Sequence, residues 1–125
     1  LVMIDMDGFK KINDQYGHAA GDDALIHLSA ILRNTIKSVD KAARFGGDEF
    51  LLLIENDNPE KIEQIIRRIQ ARIHSANEKR KKPFNIAISA GYRIYSPKDY
   101  PGLIDLLHAV DQEMYTAKKR REIEA

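Results

Sequence analysis

The sequence predicts an α/β (α+β) domain in which a central, mostly antiparallel sheet is flanked by helices. Three observations lead there. Two apolar strands meet at a Gly-Gly pair, the signature of a hairpin. A later segment, residues 84–95, alternates between larger apolar and smaller or polar side chains. The stretches between the strands carry apolar stripes at helical spacing. The order reads β-α-α-β-β-α-β-α, and strands joined by a hairpin or by helices give a largely antiparallel sheet with helices packed on it.

Each element has its own signal. "LVMID" (1–5) is a continuous apolar run, suited to a central strand buried on both faces. "FKKINDQYG" (9–17) is a short helix stopped by Gly17. A longer helix follows over about 22–37, with Leu25, Leu28, Leu32 and Ile36 on one face and Asp22 or Gly21 as its N-cap. "KAARF" (41–45) and "EFLLLIE" (49–55) flank the glycine pair as hairpin strands. Asn58 caps the next helix, with Pro59 at its first position and a stripe of Ile62, Ile65, Ile66, Ile69 and Ile73. "EKRKKP" (78–83) reads as a solvated basic connector. In the strand at 84–95, Phe84, Ile86, Ile88, Ala90, Tyr92 and Ile94 point one way. The last helix, about 102–120, carries Leu103, Leu106, Leu107, Val110 and Met114 on one face.

The 125 residues suffice for one domain with one core, read here as residues 1–125. The 20 basic residues against 19 acidic ones leave a net charge of +1, which argues against a nucleic-acid coat and against attraction to membranes. Cysteine is absent, so disulfides and thiolate metal sites are excluded. No apolar run approaches the ~20 residues that a membrane helix needs. The opening on "LVMID", without an initiator Met, reads as a piece cut from a longer chain.

The chemistry concentrates at strand ends. In "DMDGF" (5–9), Asp5 and Asp7 lie two apart where the first strand stops, and in extended chain they face the same side. In "RFGGDEFLLL" (44–53), Asp48 and Glu49 follow the paired glycines. Asp and Gly are also ordinary turn formers, so either motif alone reads as turn chemistry. Together they allow more: if the first strand lies beside the hairpin, Asp5 and Asp48 converge. Oxygen ligands without His or Cys suit a hard cation such as Mg²⁺, or Mn²⁺ in its place. The implied chemistry is phosphoryl transfer.

The sequence resembles the GGDEF family of diguanylate cyclases. Gly46, Gly47, Asp48, Glu49 and Phe50 match the family's motif, and "DMDGFKKINDQYGHAAGDDAL" (5–25), "SAG" (89–91) and "DQEMYTAK" (111–118) match its other segments. The resemblance implies a palm-like fold shared with polymerases and nucleotide cyclases, and a homodimer that joins two GTP into cyclic di-GMP with Mg²⁺. It implies that Asp5, the Met6 carbonyl and Asp48 hold the metal. Asp48 or Glu49 draws the proton from the attacking 3′-hydroxyl, and Asp7 is structural. Asn13 and Asp22, with His18 nearby, recognise guanine, whose N1–H and N2–H₂ donors beside O6 suit an amide and a carboxylate. The resemblance further places Gly8, Phe9, Lys10, Gly46, Gly47 and Lys118 around the substrate, with backbone N–H groups near Gly8 and Phe9 cradling phosphate. Lys118 to Arg121 also reads as a basic cluster favoured at a helix C-terminus. An upstream sensory or receiver domain, a cytoplasmic location, and no contact with nucleic-acid polymer or membrane are implied too.

Three departures from the family stand out. Glu122, in "REI" (121–123), replaces a phosphate-touching arginine, for which Arg120 or Arg121 is the substitute. Lys37 and Asp40 occupy the family's product-inhibition site, where lysine lacks the planar fork of arginine, so inhibition is expected to be weak. The family's N-terminal helix has no counterpart in the sequence. The alternative function is a non-catalytic module that binds GTP or cyclic di-GMP and regulates a neighbouring domain.

Overall fold

The computed structural model describes residues 1–80, 82–96, 98–99 and 102–124, the last four through their backbone. The chain runs β1 (Val2–Met6), α1 (Phe9–Tyr16), α2 (His18–Thr35), β2 (Lys41–Arg44), β3 (Glu49–Leu53), α3 (Pro59–Arg80), β4 (Ile88–Tyr92) and α4 (Leu103–Glu124). The sheet order is β2-β3-β1-β4, with every neighbouring pair antiparallel. The α+β architecture read from the sequence is therefore present, with the expected element order.

Strand β1 is buried along its whole length, which is why its sequence is continuously apolar. Val2, Ile4 and Met6 enter the main core, with Leu28 and Leu32 of α2, Phe50 and Leu52 of β3 and Ile69 of α3. Met3 enters a smaller cluster with Leu106, Val110 and Met114 of α4. Each fully buried Ile or Leu contributes roughly 1.5–3 kcal/mol relative to exposure. Helix α3 starts as its sequence predicts: the Asn58 Oδ1 accepts from the Glu60 N–H at 3.0 Å, and Pro59 fills the first turn.

Several boundaries differ from the sequence reading. Helix α2 begins at His18, not near 22, so neither Asp22 nor Gly21 is its N-cap. Gly17, at φ 91°, separates α1 from α2. Position 21 lies inside α2 and is glycine because a Cβ there would stand 1.8 Å from the Asn13 Oδ1. Strand β4 covers only Ile88–Tyr92, because Asn77 captures Ile86, two residues before it: its side chain donates to the Ile86 carbonyl and accepts from the Ile86 N–H. Helix α3 runs on to Arg80, into the stretch expected to be a solvated connector, and the Arg80 side chain is buried. Lys81 of that run lies outside the described residues. Helix α4 continues to Glu124, so Lys118 is not in its last turn. Leu103 of the expected apolar face is exposed, whereas Leu106, Val110 and Met114 are buried.

Helix α4 lies directly on β4 at Gly91, where a Cβ would sit 2.3 Å from the Met114 backbone nitrogen. Backbone cannot yield as a flexible side chain does. Gly91→Ala is expected to destabilise the domain by about 3 kcal/mol. Urea unfolding monitored by circular dichroism checks this, and an unchanged midpoint contradicts the packing described.

Candidate active site

The site begins where β1 meets β3. In their antiparallel register Asp5 stands opposite Glu49. One step further, the Met6 N–H donates to the Asp48 carbonyl at 3.0 Å. Residues directly opposite share a face, so the Asp5 and Glu49 carboxylates lie on the side covered by α4. From α4, the Lys118 Nζ donates to the Asp5 Oδ2 at 2.8 Å.

Asp5 is 5% exposed, and its Oδ1 is buried without a hydrogen-bond partner. Burial raises its pKa, the Lys118 hydrogen bond opposes the rise, and the neighbouring Asp48 carboxylate adds to it. Burial also raises the Glu49 pKa, helped by Asp5 and by Asp111 on α4. Lys118 is held as the cation, chiefly through its hydrogen bond to Asp5. An orphaned carboxylate oxygen beside a second carboxylate fits a divalent cation. Among the described residues no group of three or more His, Cys, Asp or Glu could hold a metal. The carboxylates that meet at this strand end are those of Asp5 and Asp48.

The hairpin turn is longer than a two-residue turn. The Phe45 and Gly46 N–H groups both donate to the Glu49 carbonyl, at 2.8 and 3.3 Å. Arg44 then closes it from the side chain: Nε donates to the Gly46 carbonyl at 3.1 Å and Nη2 to the Gly47 carbonyl at 2.8 Å. Neither Gly46 nor Gly47 has a positive φ, and a Cβ on Gly47 would meet nothing within 4 Å. The fold of the turn does not require glycine at 47; the open space above it does have room for an approaching ligand.

Beyond the strand end the chain turns at Gly8, whose φ of 66° favours glycine. Helix α1 follows, its first intrahelical acceptor being the Gly8 carbonyl, bonded by Ile12. The N–H groups of Phe9, Lys10 and Lys11 thus have no partner within the helix, and the Lys10 side chain is exposed beside them. On the next turn the Asn13 side chain lies against Gly21, next to Asp22, with its Oδ1 buried and unpartnered. Phe9 closes on the same spot, 3.2 Å from where a Gly21 Cβ would be. Asp22 and His18 are exposed.

Asp7 does not join Asp5 in the site. The Ser89 hydroxyl donates to its Oδ1 at 2.7 Å, and its N–H donates to the Ala87 carbonyl, fastening the turn to β4. Lys37 and Asp40 lie at the opposite end of α2. Asp40 is buried and accepts from the backbone N–H groups of Lys37 at 3.0 Å and Glu55 at 2.9 Å, while Lys37 itself is exposed. The side chains of 121–123, including Glu122, lie outside the described residues. Sequence reasoning missed Arg44 and Asp111. Arg44 was legible as a long cation at the last position before the turn; Asp111 shows only once α4 is packed against the strand end.

The chain is similar to known proteins in sequence and in fold. The family model "Diguanylate cyclase, GGDEF domain" matches residues 1–123. The chain belongs to the GGDEF domain family. Among curated relatives, the bifunctional diguanylate cyclase/cyclic di-GMP phosphodiesterase MucR of Pseudomonas aeruginosa is 36% identical, over 94% of this chain and 17% of its own length. Diguanylate cyclase A of Treponema denticola is 32% identical, over 95% of this chain and 32% of its own. Among solved structures, the GGDEF domain of YfiN (TpbB) from Pseudomonas aeruginosa superposes with a TM-score of 0.81 at 31% identity, covering 95% of this chain and 70% of that one. The active GGEEF domain of a diguanylate cyclase from Vibrio cholerae gives 0.79 at 30% identity, covering 95% and 75%. The chain spans about a third or less of these curated relatives.

Because the Lys118 hydrogen bond is the largest influence lowering the Asp5 pKa, Lys118→Met is expected to raise it further. Carboxyl-carbon NMR titration of metal-free protein checks the sign; an unchanged or lower midpoint contradicts the assignment.

Proposed function

We propose that this domain is a diguanylate cyclase that condenses two GTP into cyclic di-GMP and pyrophosphate, with Mg²⁺ and as a homodimer. The observation that carries this reading is the meeting of Asp5 and Asp48 at one strand end, with the Asp5 Oδ1 buried and unpartnered. Asp5, the Met6 carbonyl and Asp48 would hold the metal. When bound, Mg²⁺, or Mn²⁺ in its place, neutralises phosphate charge and acidifies the attacking hydroxyl.

The chain's own residues supply the rest. Glu49 is suited to accept the proton, since burial and the Asp5 carboxylate raise its basicity. Lys118 brings a cation to the same edge, for Asp5 and for phosphate oxygens. The free N–H groups at the start of α1, with Lys10, receive phosphate. Gly46 and Gly47 leave clearance for it. Asn13, with an unpartnered amide oxygen, and Asp22, with His18 close by, read the guanine edge. Each domain holds one GTP. The 3′-hydroxyl of each attacks the partner's α-phosphorus, the bond to pyrophosphate breaks, and the hydroxyl proton passes to the carboxylate. Holding two loaded domains together removes much of the entropic cost. That control belongs to an upstream sensory or receiver domain in the full protein, with this domain on the cytoplasmic side. Among the described residues no helix is long and apolar enough to cross a membrane.

The test is incubation of wild-type protein, alone and fused to a dimeric partner, with GTP and Mg²⁺, followed by chromatography. Cyclic di-GMP is expected, more from the dimer, and none from Asp48→Ala. Tight GTP binding with no product from either wild-type form would favour a non-catalytic GTP or cyclic di-GMP module instead. Gly47→Ala is expected to keep the melting temperature yet lower the rate at least ~10-fold, by filling the space above the turn; full activity contradicts that clearance. Product inhibition at Lys37 and Asp40 is expected to be weak, because backbone N–H groups already occupy both Asp40 oxygens. Submicromolar cyclic di-GMP binding that Lys37→Ala abolishes overturns this.

A further inference from the structure

Arg80, at the end of α3, is a buried cation that the mechanism above does not use. Its side chain is 9% exposed, and its Nη2 donates to the Asp23 Oδ2 at 2.8 Å. Its Nε and Nη1 are buried with no hydrogen-bond partner. The guanidinium carbon lies 5.9 Å from the centre of the Phe84 ring. An ion pair between a largely buried guanidinium and a half-exposed carboxylate, with two N–H groups left unpaired, is a poor source of stability, because desolvation of the cation offsets the Coulomb gain. What such a pair does well is fix one geometry.

The geometry it fixes is the elbow between α1 and α2. Asp23 is the neighbour of Asp22 on α2, so Arg80 anchors that turn to the end of α3. The other arm of the elbow is braced by Pro83 and Phe84, just beyond α3. The Tyr16 ring, at the end of α1, packs on Phe84 with centroids 5.2 Å apart, and its hydroxyl donates to the Pro83 carbonyl at 3.3 Å. Between the arms lies Gly17, whose left-handed backbone has nothing within 4 Å of a Cβ. The two arms carry Asn13 and Asp22.

We propose that Arg80 is a positioning residue for purine recognition: through Asp23 it sets the angle between α1 and α2, and so the placement of Asp22 relative to Asn13. This rests on the guanine-binding reading above. A base edge read by an amide and a carboxylate tolerates little displacement, whereas phosphates held at the strand end and at the start of α1 do not depend on the elbow.

Calorimetric titration of wild-type protein, Arg80→Met, Arg80→Lys and Asp23→Asn with GTP and with ATP, each with Mg²⁺, tests the role. Melting curves show that every variant is folded at the working temperature. ATP presents the same phosphates without the guanine donors. Arg80→Met is expected to weaken GTP binding roughly 10-fold or more while leaving ATP within about twofold, so that the preference for GTP collapses. Asp23→Asn should shift in the same direction, and Arg80→Lys, which keeps a cation beside Asp23, should recover much of the preference. A purely structural residue would lower both affinities together. Wild-type preference that survives in both Arg80→Met and Asp23→Asn overturns the role of Arg80 alone. Equal binding of GTP and ATP by wild-type protein overturns the guanine site itself, and this role with it.

Discussion

The antiparallel pairing of β1 with β3 is the constraint on which the rest of the structure depends. It sets Asp5 across from Glu49, and the Met6–Asp48 backbone hydrogen bond extends the pairing to the tip of the hairpin. A slip of one residue would turn every side chain of β1 to the opposite face. Val2, Ile4 and Met6 would then leave the main core, and Asp5 would leave the side on which Lys118 waits. The apolar run that secures the register is thus also what aims the acid. Stability and site geometry share one set of contacts.

That aim has an energetic cost. Two acids directly opposite on a sheet repel each other, and here a third, Asp48, stands beside them while the first is buried. Lys118 offsets part of the charge from across the α4 interface. Helix α4 reaches this position because Gly91 lets its backbone touch β4. One glycine far along the chain therefore decides whether the cation stands over the acids. Burial first, and then the neighbouring acids, raise the pKa of Asp5 and of Glu49, a perturbation of the kind that functional sites concentrate.

Much of this was legible in the sequence. Continuous apolarity marked β1 as doubly buried, and the stripe on α3 and the Asn58–Pro59 start both hold in the structure. The convergence of Asp5 and Asp48 followed from placing the first strand beside the hairpin. What the sequence did not reveal depends on contacts between distant segments. The start of α2 was misplaced because Asp22 resembles an N-cap, while the actual break is Gly17, set by its backbone geometry. The strand at 84–95 was drawn too long because alternation cannot show that Asn77 occupies the Ile86 backbone groups. Arg80 was read as part of a solvated basic run, since one-dimensional charge patterning does not show that Asp23 and Phe84 meet it. The paired glycines mark a hairpin, which is present, yet neither has a positive φ. Their absent side chains matter more for the space outside than for the bend.

The central claim is that the acid ending β1 and the first acid after the glycines serve a single divalent ion. Electron paramagnetic resonance of Mn²⁺ titrated into nucleotide-free wild-type protein, Asp5→Asn and Asp48→Asn tests it most directly. The account predicts one bound ion in the wild type, with affinity sharply reduced in both variants and each variant still folded. A bound ion of unchanged affinity in either variant would contradict it.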